Sequence, residues 1–146
     1  MKPQFLPLVL VLLLGALPAC SQEPTSQSTP QNQSEKQQSL RVTHISAVQA
    51  NTIMKERPNL VILDVRTATE FSSGHIEGAI NIDVKSADFA TRLTSLDPNQ
   101  DYLIHCHSGA RSTRSLASFE TLGFKHILHM DGGIKAWNKA NLPTKP

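Results

Sequence analysis

Apolar and polar positions settle into a folding pattern only from about Leu40 onward. Arg41 to Ile45 has the character of a short strand. Ser46 stands three residues before Gln49, the spacing of a capping box, and Ala47, Ala50 and Met54 form one stripe of a helix. Pro58-Asn59 is a turn. Leu60-Val61-Ile62-Leu63 is a continuous apolar run ending at Asp64, as expected of a strand covered on both faces of a parallel sheet. Thr67 to Ser72 predicts a short helix closed by Gly74, and Ala79 to Ile82 another strand. Phe89 and Leu93 place a helix from about Ser86 to Leu96, broken at Asp97-Pro98. Tyr102 to His105 is a strand that runs into Cys106. Leu116, Phe119 and Leu122 share a face of a helix over Ser112 to Leu122, with Gly123 at its C-terminal cap. Ile127-Leu128 gives the last strand, and Trp137 lies on a final short helix after Gly132-Gly133. This alternation predicts an α/β domain with a mostly parallel sheet. In such sheets ligands bind at the carboxyl ends of strands, where Asp64 and Cys106 both fall.

The first 39 residues follow a different pattern. Met1-Lys2 is a short basic start, and Phe5 to Ala19 is an uncharged run of 15 residues rich in Leu and Val. A membrane span needs about 20 apolar residues, so the run fits the core of a secretory signal peptide over residues 1–19. Leu17-Pro18-Ala19-Cys20 resembles the bacterial lipoprotein signal, in which the cysteine is lipidated and becomes the new N-terminus. An uncleaved anchor helix is the alternative. Either reading puts the folded part outside the cytoplasm, tied to a bacterial membrane on its periplasmic or cell-surface side. Residues 20–39 are nearly all Gln, Ser, Thr, Pro, Glu, Asn and Lys. Such a segment has too little apolar surface to order itself and reads as a tether with an r.m.s. span of about 25 Å. The folded domain is expected over 40–146.

Charge and cysteine content narrow the functions. The formal net charge is +2, and removal of Lys2 with the signal leaves 13 basic against 12 acidic residues. No basic stripe stands out, so nucleic-acid binding has no compositional support. The chain has two cysteines. With Cys20 lipidated, Cys106 is the sole free thiol, which excludes an internal disulfide, a CxxC redox pair and a thiolate metal cluster.

The chemistry concentrates in Cys106-His107-Ser108-Gly109-Ala110-Arg111-Ser112. A cysteine between a strand and a helix faces backbone N–H groups and the positive end of the helix dipole, and both favour thiolate. Arg111 adds a fixed charge that can hold an anion over the sulfur. The bland alternative is an inert buried cysteine at a strand end. Glycine, arginine and the following helix at these spacings favour a loop that binds an anionic substrate and attacks it with sulfur.

Three ordered motifs resemble those of rhodanese domains. Asp64-Val65-Arg66, Glu70-Phe71 and Gly74-His75-Ile76-Glu77-Gly78-Ala79-Ile80-Asn81-Ile82 look like the N-terminal signature, Cys106 to Ser112 the active-site loop, and Gly132-Gly133-Ile134-Lys135-Ala136-Trp137 the C-terminal signature. The resemblance spans roughly Val42 to Leu142. It implies a rhodanese-like fold, a central parallel sheet flanked by helices on both faces. It also implies a persulfide at Cys106 and sulfur transfer from a donor such as thiosulfate to cyanide or a thiol. His107, Ser108, Gly109, Ala110 and Arg111 are expected to cradle the anion, with Arg66 either joining them or pairing with Asp64 and Glu70. His75 and Trp137 are expected to be structural.

The chemistry expected of such a loop is ping-pong: the thiolate takes the outer sulfur, sulfite leaves, and an acceptor removes the sulfur from the persulfide. No metal or organic cofactor is required, and a monomer suffices. A persulfide carrier or protein-binding module without rapid turnover is the first alternative. A cysteine phosphatase of the same fold is the second. Its loops hold five residues between Cys and Arg, whereas four separate Cys106 from Arg111, and the loop interior supplies no carboxylic acid to protonate an alkoxide.

Overall fold

The computed structural model describes residues 39–146, and the signal, Cys20 and most of the tether lie outside the described residues. The described chain alternates five strands with five helices: β1 (Arg41–Ile45), α1 (Ala47–Glu56), β2 (Val61–Asp64), α2 (Ala68–Ser72), β3 (Ile80–Asn81), α3 (Phe89–Leu93), β4 (Asp101–His105), α4 (Ala110–Thr121), β5 (His126–Met130) and α5 (Gly133–Lys139). All strand pairs are parallel, in the order β1-β5-β4-β2-β3. The expected α/β architecture with a parallel sheet is therefore present.

Both faces of the sheet are covered, which explains the unbroken apolar runs. Leu63 and Ile104, adjacent in register, point to one face with Ile127, where Phe89 and Leu93 of α3 and Phe119 of α4 pack on them. Ile62 and Leu103 point to the other, against Ala47 and Ala50 of α1 and Ile134 and Trp137 of α5. Each fully buried Leu, Ile or Phe contributes about 1.5–3 kcal/mol relative to an exposed position. Phe119 also meets Phe89 and Phe124 edge-on, at ring-centroid distances of 6.4 and 5.0 Å.

Element boundaries differ from the sequence expectations where caps decide them. Ser46 caps α1 as its spacing predicts, accepting from Gln49 N at 3.3 Å while Gln49 Oε1 accepts from Ser46 N at 2.9 Å. Helix α3 is much shorter than Ser86 to Leu96, because polar turns occupy both flanks. Helix α4 starts two residues earlier than expected, at Ala110, which draws Arg111 into its first turn. Strand β5 extends to Met130, beyond its Ile127-Leu128 centre, because it pairs with β1 along its whole length.

Candidate active site

Strand β4 ends at His105, and the chain turns at Cys106 into α4. Cys106 is buried at the carboxyl end of the sheet, between the sheet and the start of a helix. Gly109, the N-cap residue of α4, supplies no side chain to cap it. The sulfur takes that place: Gly109 N donates to Cys106 Sγ at 3.2 Å. The Ser112 hydroxyl lies 3.6 Å from the same sulfur. Burial pushes the thiol pKa up, but hydrogen bonds from the Ser112 N–H and hydroxyl and from the N–H groups of Ser108 and Arg111 outweigh it, so the pKa falls below its ordinary 9.0. These hydrogen bonds favour the thiolate form of Cys106.

The loop is braced from behind. Ile134 N donates to Cys106 O at 2.9 Å and Lys135 N to His107 O at 3.0 Å. The first turn of α5 thus fixes the loop carbonyls outward from the sulfur, leaving the loop N–H groups turned toward it. This close approach requires Gly133: a Cβ there would lie 2.3 Å from Cys106 O and 2.8 Å from His107 C and O.

Arg111 stands at the end of the loop, but its guanidinium is already paired. Nη1 and Nη2 donate to Glu70 Oε2 and Oε1 at 2.7 and 2.6 Å, a bidentate fork. Glu70 also accepts from Thr67 N at 3.1 Å, closing a capping box on α2. The Arg111 hydrogen bond holds the Glu70 carboxyl far below the usual carboxylate range. In turn Glu70, and less strongly Cys106, raise the Arg111 pKa. The structure thus brings Arg111 to Cys106 as one half of a pair.

Arg66 is held by other groups, a correction to its expected anion contact. Its guanidinium is buried, donating to Asp64 Oδ2 at 2.6 and 2.8 Å and to Gly74 O at 2.7 Å. It clamps the end of β2 to the turn after α2, the pairing with Asp64 that the sequence left open. His107, Ser108 and Ala110 have exposed side chains, so these residues contribute to the loop through their backbone. His105 is fully buried and its pKa is lowered by that burial, which keeps it neutral. His75 stacks on Phe71 at 3.9 Å and donates from Nδ1 to Phe71 O, and Trp137 is core, with its indole N–H on Pro143 O.

Sequence reasoning missed Glu70 as the partner of Arg111, although the Thr67-x-x-Glu70 spacing marks a cap. It also missed His129, Asp131 and His44. His129 Nε2 lies 2.9 Å from Ser112 Oγ, and Nδ1 of both His129 and His44 is 2.8–2.9 Å from Asp131 Oδ1. Both Nδ1 atoms face one carboxylate oxygen, so the three side chains form a hydrogen-bond network. A separate cleft of about 380 Å³, lined by Arg41, Arg57, Asp101 and His126, opens where β1, β4 and β5 begin, at the opposite end of the strands from Cys106.

The comparisons agree with this geometry. A model described as Rhodanese-like domain matches residues 46–140, well over half of the chain. Thiosulfate sulfurtransferase 18 of Arabidopsis thaliana is 33% identical, over 70% of this chain and 82% of its own length. Thiosulfate sulfurtransferase GlpE of Shewanella oneidensis is 30% identical, over 60% and 85%. Among solved structures, a rhodanese-like domain protein from Staphylococcus aureus matches with a TM-score of 0.61 and 28% identity, covering 71% of this chain and 99% of that one. A parallel sheet covered on both faces, a loop cysteine of lowered pKa at its carboxyl edge and these likenesses lead to one conclusion: the chain belongs to the rhodanese-like domain family, with relatives named as thiosulfate sulfurtransferases.

Proposed function

We propose that this chain moves a sulfane sulfur from a donor such as thiosulfate to cyanide or a thiol through a persulfide on Cys106. One observation carries the reading: the buried Cys106 sulfur is ringed by N–H donors that lower its pKa. The thiolate attacks the outer sulfur of the donor, the S–S bond of thiosulfate breaks, and sulfite leaves with the electron pair. The same N–H groups then face the terminal sulfur of the persulfide and stabilise its charge, as an oxyanion hole would. An acceptor attacks that sulfur and returns Cys106 as thiolate. Neither step calls for a metal, an organic cofactor or a second subunit.

The Arg111–Glu70 pair favours a second reading, a persulfide carrier charged by a partner. An arginine already neutralised by a carboxylate attracts a dianion such as thiosulfate less strongly than a free one. The sequence of residues 1–39 supports the place of action, a lipid-anchored domain outside the cytoplasm with Cys20 as the modified residue.

Steady-state turnover with thiosulfate and cyanide separates the enzyme from the carrier, and mass spectrometry of the Cys106 peptide detects one added sulfur in both. Failure to retain sulfur after exposure to any donor, together with efficient hydrolysis of an aryl phosphate, would overturn the assignment in favour of the phosphatase.

A further inference from the structure

His129 is 2% exposed and lies beneath the catalytic loop, where it takes no part in the sulfur chemistry described above. Its tautomer follows from its neighbours. Hydrogen bonds from His44 lower the Asp131 pKa, burial opposes this, and His129 adds to the lowering, so Asp131 is a carboxylate and can only accept. His129 Nδ1, 2.9 Å from Asp131 Oδ1, therefore carries a proton. With that tautomer of the imidazole, the lone pair is on Nε2, 2.9 Å from Ser112 Oγ. Ser112 Oγ is in turn 3.6 Å from Cys106 Sγ. It is also 2.9 Å from Gly109 O, so one hydroxyl proton faces three acceptors. Thr113 Oγ1, 3.3 Å from Nε2, has its own acceptor in Gly109 O at 3.0 Å.

We propose that His129 is a positioning residue that takes up the Cys106 proton through Ser112, forming a chain Cys106–Ser112–His129–Asp131. The proposal rests on the reading of Cys106 as the sulfur-carrying nucleophile. In the thiol state the Ser112 hydroxyl donates to His129 Nε2. As the Sγ–H bond breaks, its proton passes to Ser112 Oγ and the original hydroxyl proton passes to Nε2. The products are thiolate, an unchanged hydroxyl and an imidazolium, with no change in oxidation state. The imidazolium now donates Nε2–H to Ser112 Oγ, which frees the hydroxyl to donate to the thiolate. Asp131 holds the imidazolium from the other side. The titratable groups facing His129 are Asp131 beyond β5, His44 on β1 and, across Ser112 of α4, Cys106 at the end of β4.

The test is the pH profile of Cys106 alkylation by iodoacetamide. It reads the thiol itself and needs no sulfur transfer, so failure of the sulfurtransferase reading would leave it intact. His129→Leu is expected to move the profile to higher pH and to slow alkylation near neutrality on the order of tenfold, the equivalent of one pKa unit. In a Ser112→Ala background the same change should add nothing, because the link is already cut. Asp131 is exposed, so Asp131→Asn keeps the fold even where His129→Leu does not. It should shift the profile in the same direction by less. Profiles of His129→Leu or Asp131→Asn that superpose on wild type overturn the proposal. So does a His129→Leu shift that survives undiminished in Ser112→Ala, or a His129→Gln protein that matches wild type, since an amide cannot take a proton.

Discussion

Alanine in place of Gly133 puts a methyl group 2.3 Å from Cys106 O, where side-chain carbons do not approach closer than about 3.0 Å. The atoms it meets are backbone, so relief requires movement of the loop or of α5 by at least 0.7 Å, the difference between those two distances. Two costs add. The backbone at Gly133 has φ +56°, and a side chain there costs about 1–2 kcal/mol. Overpacking against rigid neighbours costs about 1–3 kcal/mol more. Gly123→Ala separates them: its φ is +78° and no atom lies within 4 Å of the added carbon, so it bears the first cost alone. Denaturant unfolding should therefore place Gly123→Ala about 1–2 kcal/mol below wild type and Gly133→Ala about 2–5 below.

The activity contrast is sharper than the stability contrast. Gly123 is at the far end of α4 from the loop, and its variant should transfer sulfur at the wild-type rate wherever it is folded. In Gly133→Ala the carbonyls of Cys106 and His107 lose their fixed positions, and the N–H groups on the sulfur turn with them. A displacement near 1 Å at a reacting group can cost about 10²-fold. Sulfur transfer should fall by that order in protein that circular dichroism shows to be folded. A Gly133→Ala protein as stable as Gly123→Ala and fully active would refute the view that α5 sets the loop geometry.

Cys106→Ser should remain folded and lose sulfur transfer to background, because a hydroxyl near neutral pH is neither ionised nor able to carry a second sulfur; the midpoint of the wild-type alkylation profile should fall below pH 9.0, the ordinary thiol value. Arg111→Ala should raise the thiosulfate KM and lower stability, and Arg111→Lys should recover only part of both, since an ammonium keeps the charge and loses the fork to Glu70. Glu70→Gln tests the same pair from the other side: it frees the Arg111 charge, so KM for thiosulfate should fall. Because the folded Glu70 pKa is depressed, its contribution is present above the ordinary 4.5 and is lost as pH falls below it. The pair is partly exposed, so Glu70→Gln should cost about 1 kcal/mol at pH 7 after screening and little in acid, as read from unfolding at several pH values.

The sequence showed the sheet because covered parallel strands read as unbroken apolar runs, and Leu60 to Leu63 and Tyr102 to Ile104 are such runs. It showed the loop that places Cys106 because the local spacing of Cys106, Gly109 and Arg111 implies a strand, a turn and a helix start. It did not show what Arg66 and Arg111 hold. Arg66 has two carboxylates within reach in the chain, Asp64 and Glu70, whereas Arg111 has none closer than Glu120, and only the fold decides that Arg66 closes on Asp64 two residues away while Arg111 crosses 41 positions to Glu70.

The groups behind the sulfur were illegible for a stricter reason. Ser112 and His129 are 17 residues apart on different elements, and each alone is an ordinary residue in an amphipathic stretch. Their meeting depends on the register of β5 between β4 and β1, which pairs Ile104 with His129 and His129 with His44. A one-residue slip would turn His129 to the opposite face, toward α1 and α5, and leave Ser112 with only the Gly109 carbonyl and the Cys106 sulfur. The register is fixed by Ile127 and Met130, which bury on opposite faces of the sheet, in different apolar clusters. Core packing thus selects the face on which the imidazole stands. The chemistry at Cys106 depends on a long-range hydrophobic choice that no local motif around the cysteine records.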